Sequence, residues 1–311
     1  MTRVAAVDCG TNTIKLLVAD LDPATGSEHE LVREMRMVRL GQDVDRTGRL
    51  ADEALDRVFA AVDEYAAIVD QHAVDVTRFC ATSAARDAAN AEVFMRGVQE
   101  RLGVVPEVVT GAEEAQLSYD GATRDLGDQP APYLVVDIGG GSTELILGDP
   151  SRDNGHVVAA HSLDIGSVRM TERHLPSDPP TASERQAATR AIDSALDDLP
   201  LHGVVLEEAS TLVGVAGTIT TVAAMVLDLP SYQRERINHA RLAVTDVDAV
   251  TQRLLGMTVA QRKSLPFMHP GRADVIGAGA LILDRVLART RMRSMLVSEA
   301  DILDGIAWSV A

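Results

Sequence analysis

Three turns in this sequence combine glycine with hydroxyl side chains directly after an apolar segment. Their residues are Gly10, Thr11, Asn12 and Thr13 in the first turn, Gly139, Gly140, Gly141, Ser142 and Thr143 in the second, and Gly217 and Thr218 in the third. Glycine lets backbone N–H groups approach a ligand closely, and Ser or Thr hydroxyls add further donors to such an anion-binding nest. A glycine turn is also an ordinary way to close a hairpin, so each motif alone permits both interpretations. None has the spacing of a P-loop or of a dinucleotide-binding turn.

Carboxylates accompany two of these turns. Asp8 and Asp137 each end an apolar segment directly before glycine, and Glu144 follows the second turn. Carboxylates at such positions hold a hydrated Mg²⁺ ion that faces bound phosphates. The alternative is that they are acceptors that only stabilise the turns. Four cations also lie close to glycine or hydroxyl clusters: Lys15, Arg86, Arg169 and Arg272. We expect Lys15, Arg86 and Arg272 to bind phosphate, and an ordinary surface role is the alternative for each of the four.

Glu113 and Glu114 are adjacent in the first turn of a predicted helix, so their side chains point about 100° apart. Glu113 follows Thr110 by three residues and completes the pattern of a capping box. Glu114 then has no capping duty and is a candidate general base toward water. Its alternative role is to complement the helix dipole.

The elements that must position these residues form a repeated pattern. Residues 6–10 match residues 135–139, and residues 15–20 match residues 144–149 without a gap. The same hairpin therefore occurs twice, which indicates a duplicated domain and not a short solenoid repeat. Helices and strands alternate after each hairpin, which predicts an α/β fold with mixed sheets.

The segment 125–132 is rich in Gly, Pro and Asp and reads as a linker. We therefore predict two domains, residues 1–126 and 127–311, with a terminal helix at 300–311 expected to pack back on the first. Further expected helices include 51–70, 87–101, one opening at Thr110, one capped by Thr181 and Glu184, and one capped by Thr245.

Composition excludes several classes of protein. A net charge of −17 and an aromatic content of 3% argue against a nucleic-acid-binding surface. No segment reads as a signal peptide or a membrane span, and the two cysteines suit a reducing cytosol, so we expect a cytoplasmic protein.

Six motifs in order resemble the exopolyphosphatase and guanosine pentaphosphate phosphatase (Ppx/GppA) family of the actin-like ATPase superfamily. They lie at residues 8–12, 81–88, 110–115, 137–144, 214–218 and 272–275. The resemblance implies two ribonuclease-H-like domains with mixed sheets flanked by helices and an active site in the cleft between them. It implies Mg²⁺-dependent hydrolysis of a terminal phosphoanhydride, with Mn²⁺ as an alternative ion. Glu114 matches the base that activates water, and Asp137 and Glu144 match positions associated with the metal and the attacking water.

We therefore expect hydrolysis of inorganic polyphosphate. Short polyphosphates are favoured as substrates, because the protein is acidic and its sequence has no long run of Lys or Arg. The sequence leaves open a guanosine pentaphosphate 5′-phosphohydrolase, a nonhydrolytic sensor of guanosine tetraphosphate or polyphosphate, and a kinase of the same superfamily. A homodimer is a family-level expectation.

Overall fold

The structure, a computed structural model, describes residues 1–151 and 157–311. Its strands are β1 (Thr2–Cys9), β2 (Thr13–Asp22), β3 (Ser27–Met37), β4 (Val76–Ala81), β5 (Glu107–Val108), β6 (Tyr133–Ile138), β7 (Thr143–Gly148), β8 (Val157–Leu163), β9 (Thr211–Val215), β10 (Arg241–Ala243) and β11 (Ser294–Val297). Its helices are α1 (Val44–Thr47), α2 (Asp52–Gln71), α3 (Ser83–Asp87), α4 (Ala91–Leu102), α5 (Gly111–Thr123), α6 (Ser167–His174), α7 (Ala182–Asp197), α8 (Ala216–Val226), α9 (Arg234–Ile237), α10 (Val244–Gly256), α11 (Val259–Lys263), α12 (Ile276–Ala288) and α13 (Ile302–Trp308).

Two compact units divide the chain. The first comprises Met1–Gly121 together with Ile302–Ala311, and the second comprises Ala122–Asp301. The division falls near the end of α5, five residues before the boundary expected from the sequence. The terminal helix α13 belongs to the first unit, where it contacts β1, β2 and β4.

The first unit is built on a five-stranded mixed sheet in the order β3-β2-β1-β4-β5. The three strands β1, β2 and β3 are antiparallel neighbours, whereas β4 and β5 run parallel to β1. Both faces of β1 are buried, because alternate side chains enter two different cores. Ala5 and Val7 pack toward the core that holds residues of α2 and α4, whereas Val4 and Ala6 pack toward the core that holds residues of α13.

The second unit repeats this arrangement with one more strand. Its sheet has the order β10-β11-β9-β6-β7-β8, in which β6, β7 and β8 are antiparallel neighbours and β9 runs parallel to β6. The main core of this unit packs residues of α7, α8, α10 and α12 against Leu134, Val136 and Ile138 of β6. Asp137 alternates with those residues and therefore lies on the opposite face of the sheet.

Register confirms that the two hairpins are copies. Asp8 pairs with Lys15 across β1 and β2, and Asp137 pairs with Glu144 across β6 and β7. Each residue of the second pair lies 129 positions after its counterpart in the first, as the sequence match requires. The turns close with the same bond: the N–H of Gly10 donates to the carbonyl of Thr13 at 2.9 Å, and that of Gly139 donates to Ser142 at 3.0 Å.

Helix starts follow the predictions unevenly. The box of Thr181 and Glu184 is present in full, with each side chain bound to the other residue's N–H. Helix α10 begins at Val244 after Ala243, so the prediction that Thr245 caps it is wrong. At α5 the N–H of Glu113 donates to the Thr110 hydroxyl at 3.2 Å, but the Glu113 carboxylate accepts from Arg78 at 2.8 Å. Glu113 is therefore committed to a surface ion pair.

In the part of the chain that the structure describes, no helix is long and apolar enough to cross a membrane.

Candidate active site

The first unit gathers its predicted site residues around the turn between β1 and β2. Gly10 lies beside Thr82, since a Cβ built on Gly10 would be 3.8 Å from the Thr82 hydroxyl oxygen. Thr11 shares a hydrogen bond of 2.9 Å with Ser83 at the start of α3. The carbonyl of Asn12 accepts from the N–H groups that follow β3, at residues 38 and 39. The turn is thus held by its carbonyl groups, and buried hydroxyls surround it.

Asp8 and Lys15 form an ion pair at the base of this turn. Their Oδ2 and Nζ atoms are 3.4 Å apart, and the side chains are 8% and 18% exposed. Asp8 therefore already has a cationic partner. Burial, with the charge of Asp8 as a second cause, raises the pKa of the neighbouring Cys9 thiol. Asp8 thus has Lys15 as an ion-pair partner in this structure, and its expected role as a metal ligand stays a prediction.

Glu114 is brought into contact with Arg86. One guanidinium nitrogen of Arg86 donates to Glu114 Oε2 at 3.0 Å and to the carbonyl of Val109 at 2.8 Å. Glu114 is 6% exposed although it lies in the first turn of a helix. An anchored cation and a buried position together fix the orientation of this carboxylate. Arg86, expected from the sequence as a phosphate ligand, thus contacts the candidate base.

The second unit places two carboxylates where the first has an ion pair. Asp137 and Glu144 are directly opposite each other on β6 and β7, and they are 7% and 2% exposed. Side chains at such positions have Cβ atoms about 4.5–5.5 Å apart. Ser162 of β8 pairs with Glu144 in register and donates its hydroxyl to Oε1 at 2.7 Å. The position occupied by Lys15 in one copy therefore carries a second acid in the other.

The glycine turn of residues 139–143 is packed against the start of α6. The carbonyls of Gly139 and Gly140 accept from the first N–H groups of α6, at 2.8–3.1 Å, and Arg169 Nε donates to the Gly141 carbonyl at 2.7 Å. In the residues that the structure describes, the N–H groups of Gly140 and Gly141 donate to no protein acceptor. The turn therefore uses its carbonyls for the fold, which leaves amide donors for an anion.

Thr143 uses its hydroxyl within the fold. It is fully buried, and this hydroxyl donates to the carbonyl of Ile165. Its expected contact with phosphate stays a prediction.

The third glycine turn joins β9 to α8 and adjoins the second. β6 and β9 are parallel neighbours that pair Asp137 with Val215, so the segments that follow them emerge side by side. Gly279 links the two turns, because a Cβ there would lie 2.5 Å from the Thr218 side chain and 3.3 Å from that of Ser167. The backbone of Ala216, the residue before Gly217, has a positive φ of 65°. A left-handed conformation is costly for alanine and is found most often at functional sites.

Arg272 lies directly against Gly217. A Cβ at Gly217 would lie 2.2 Å from Nη2 and 2.4 Å from Cζ of Arg272, so a larger residue there would displace the guanidinium from this position. Nη1 of Arg272 donates to Thr221 at 2.8 Å. Burial lowers the pKa of Arg272 from its usual value, while Tyr232 and Glu299 act in the opposite direction.

Sequence reasoning missed Ser162 and Thr221. Neither lies in a motif. Ser162 is identified by its contact with Glu144, 18 positions earlier, and Thr221 by its contact with Arg272, 51 positions later.

Comparison with known proteins agrees with this geometry. The model of the Ppx/GppA phosphatase family matches residues 18–311. Exopolyphosphatase 2 of Mycobacterium tuberculosis is 48% identical over 322 aligned positions, covering 100% of this chain and 99% of the relative. A crystal structure of an exopolyphosphatase-like protein superposes with a TM-score of 0.95 at 44% identity, covering 100% of this chain and 98% of the other. The Aquifex aeolicus member of the Ppx/GppA family gives a TM-score of 0.83 at 28% identity, covering 99% and 97%.

These matches, together with two mixed sheets flanked by helices, confirm the predicted actin-like ATPase fold. The relative and the first of these structures cover the whole chain and therefore include both hairpins that carry the candidate residues. The chain belongs to the Ppx/GppA phosphatase family.

Proposed function

We propose that this protein is an exopolyphosphatase, a hydrolase that removes the terminal phosphate of inorganic polyphosphate. Family membership and the name of a relative that is 48% identical over the full chain support a phosphoanhydride hydrolase. The observation that carries the proposal is the buried acid pair of Asp137 and Glu144 beside amide-rich turns. Such a combination suits a reaction in which a polyanion and a divalent cation must be held together.

The donor set of the acid pair fits Mg²⁺. Two buried carboxylates directly opposite each other on neighbouring strands offer the oxygen ligands that Mg²⁺ takes. Within the described residues no group of three or more His, Cys, Asp or Glu side chains could hold a metal, which suits an ion usually bound by one or two carboxylates plus substrate phosphates and water. Asp137 and Glu144 would hold Mg²⁺, with Mn²⁺ as an alternative. When bound, it would neutralise charge on the terminal phosphates.

The glycine turns supply the remaining contacts to phosphate. Amide groups of Gly140 and Gly141, the first turn of α8 at Thr218, and the guanidinium of Arg272 are donors of the kind that bind phosphate oxygens. In the first unit, Lys15 and the hydroxyls beside Gly10 are the corresponding groups. Lys15 remains largely committed to Asp8, so its contribution to substrate binding is secondary in this proposal.

Glu114 is proposed to act as the general base. Water attacks the terminal phosphorus, the bond from that phosphorus to the bridging oxygen breaks, and Glu114 accepts a proton from the attacking water. The products are orthophosphate and a chain one unit shorter, so no covalent enzyme intermediate is needed. Arg86 orients the carboxylate by its hydrogen bond to Oε2. The assignment of Glu114 and the acid pair to one reaction follows from the family resemblance.

Short chains are the proposed substrates, because a net charge of −17 repels the distant part of a long polyanion. The test is Mg²⁺-dependent phosphate release measured in parallel on short polyphosphate, long polyphosphate and guanosine pentaphosphate. We expect the highest kcat/KM on short polyphosphate. Equal or higher kcat/KM on guanosine pentaphosphate would reassign the substrate, and no release from any of the three would refute the hydrolase.

A further inference from the structure

The hydroxyl of Thr221 connects the third glycine turn to Arg272 through two hydrogen bonds. The side chain is fully buried on α8. Its Oγ1 donates to the carbonyl of Gly217, one helical turn earlier, at 2.6 Å, and accepts from Arg272 Nη1 at 2.8 Å. A hydroxyl has a single proton, so the bond to Gly217 commits that proton and directs the lone pairs toward Arg272. The acceptor seen by the guanidinium is therefore fixed in direction.

The place where Thr221 holds Arg272 is electrostatically unusual. The guanidinium lies against Gly217 in the first turn of α8, where the helix dipole is positive. A cation at this end of a helix is unfavourable alone and becomes favourable when an anion binds both groups. Glu299 and Tyr232 are the neighbouring groups that act on the charge of Arg272. Glu299 is itself engaged, since its carboxylate accepts from Tyr232 at 2.6 Å and lies 3.7 Å from Arg234 Nε.

We propose that Thr221 is a positioning residue that holds the Arg272 guanidinium over Gly217, so that the start of α8 and Arg272 bind the same phosphate of the chain. The inference rests on the proposed function, because it assumes that this turn binds polyphosphate. It adds a residue that makes no contact with substrate and acts only through Arg272. Loss of the hydroxyl removes one of the bonds that hold the guanidinium over Gly217, which weakens binding without removing any substrate donor.

The variant Thr221→Val removes the hydroxyl and retains the shape of the side chain. A hydrogen bond to a charged group of this kind corresponds to about a tenfold or greater change in equilibrium. We expect the dissociation constant for inorganic tripolyphosphate to rise about tenfold or more. Thr221→Ser, which keeps the hydroxyl, should stay within about threefold of the parent by the same reasoning.

Thr251→Val is the matched control. Thr251 is also fully buried on a helix of the second unit, and its hydroxyl donates to the carbonyl of Ala280 at 3.2 Å without contacting an arginine. Its replacement should lower thermal stability to a similar extent as Thr221→Val while leaving tripolyphosphate binding unchanged.

The experiment is calorimetric titration of tripolyphosphate with Mg²⁺ into Glu114→Gln protein, chosen to suppress turnover, that carries each variant. A double-mutant cycle with Arg272→Gln completes it: Thr221→Val should cause no further loss in the Arg272→Gln protein, because its effect passes through that side chain. Should Thr221→Val fail to fold, Thr221→Ala enters the same cycle.

Three outcomes decide between the claims. The inference is supported if Thr221→Val weakens binding, Thr221→Ser does not, and Thr221→Val causes no further loss of binding in the Arg272→Gln protein. Parent-like binding by Thr221→Val, or an equal loss in both Arg272 backgrounds, overturns the positioning role while leaving the proposed function intact. Absence of binding by the Glu114→Gln parent overturns the proposed function and the inference with it.

Discussion

The variant Gly166→Ala tests whether the glycine turn of residues 139–143 has to be seated against the start of α6. A Cβ on Gly166 would lie 2.4 Å from the carbonyl carbon and oxygen of Gly140 and 2.5 Å from the carbonyl carbon of Gly141. All three atoms are backbone, so no flexible side chain can move aside. Ordinary contacts begin near 3.4 Å, and relief therefore requires a displacement of about 1 Å of the turn or of α6.

The expected magnitude follows from this displacement. Overpacking of this kind costs about 1–3 kcal/mol of the free energy of unfolding. For a unit of this size, each kcal/mol corresponds to about 2–4 °C in Tm. Because a shift of 1 Å in groups that bind the reacting phosphate costs about a hundredfold in rate, we expect kcat/KM for polyphosphate to fall by about that factor.

Thermal unfolding and phosphate release measure the two effects, and Gly256→Ala is the control. Gly256 ends α10, and a Cβ there has nothing within 4 Å, so this substitution should leave Tm unchanged or raise it slightly. If Gly166→Ala retained the Tm and kcat/KM of the parent, the close seating of the turn on α6 would be refuted.

Three further predictions concern individual side chains. Ser162→Ala removes the hydrogen bond to Glu144 and should weaken the apparent affinity for Mg²⁺ about tenfold or more. The Mg²⁺ dependence of phosphate release measures this affinity, and an unchanged dependence would contradict the role of Ser162. Burial raises the pKa of both thiols, that of Cys80 to about 12. Neither cysteine should therefore react with a thiol reagent at pH 8 until the protein is unfolded. Rapid labelling of Cys9 or Cys80 in the native state would contradict this prediction. The pKa of His161 is lowered from 6.5 by burial and by the histidine stacked on it. The stabilising effect of a neutral His161 is therefore present above about pH 6.5 and is lost as the pH falls below it. In urea unfolding, His161→Asn should lose less stability than the parent between pH 7.5 and pH 5, and equal losses would contradict the assignment.

The repeated hairpin was predictable because the information is local. Each copy is a strand, a glycine turn and a strand within about fifteen residues, whereas the register that sets Asp137 opposite Glu144 is given by the structure. β3 was missed because it is an edge strand with a charged, exposed to half-buried sequence and no clear alternation.

The site was predictable only where a motif carries it. Glu114 follows from the capping argument together with the family resemblance, although the Glu113 carboxylate that motivated that argument binds Arg78 instead. The ion pair of Asp8 with Lys15, by contrast, depends on the side-chain geometry across β1 and β2, which the sequence match alone does not give. Ser162 depends on strand pairing over 18 residues, which no local pattern reports.

The central claim is that Glu114 activates water for attack on the terminal phosphate of polyphosphate, and Glu114→Gln tests it most directly. Glutamine keeps an acceptor for Arg86 but has little basicity, so binding and stability should be retained while the chemical step is lost. The measurement is single-turnover phosphate release from tripolyphosphate with Mg²⁺, alongside titration of the same substrate. The account predicts a decrease of at least about a hundredfold in the single-turnover rate, with a dissociation constant close to that of the parent. A single-turnover rate near that of the parent, or a loss of rate explained by an equal loss of binding, would contradict it.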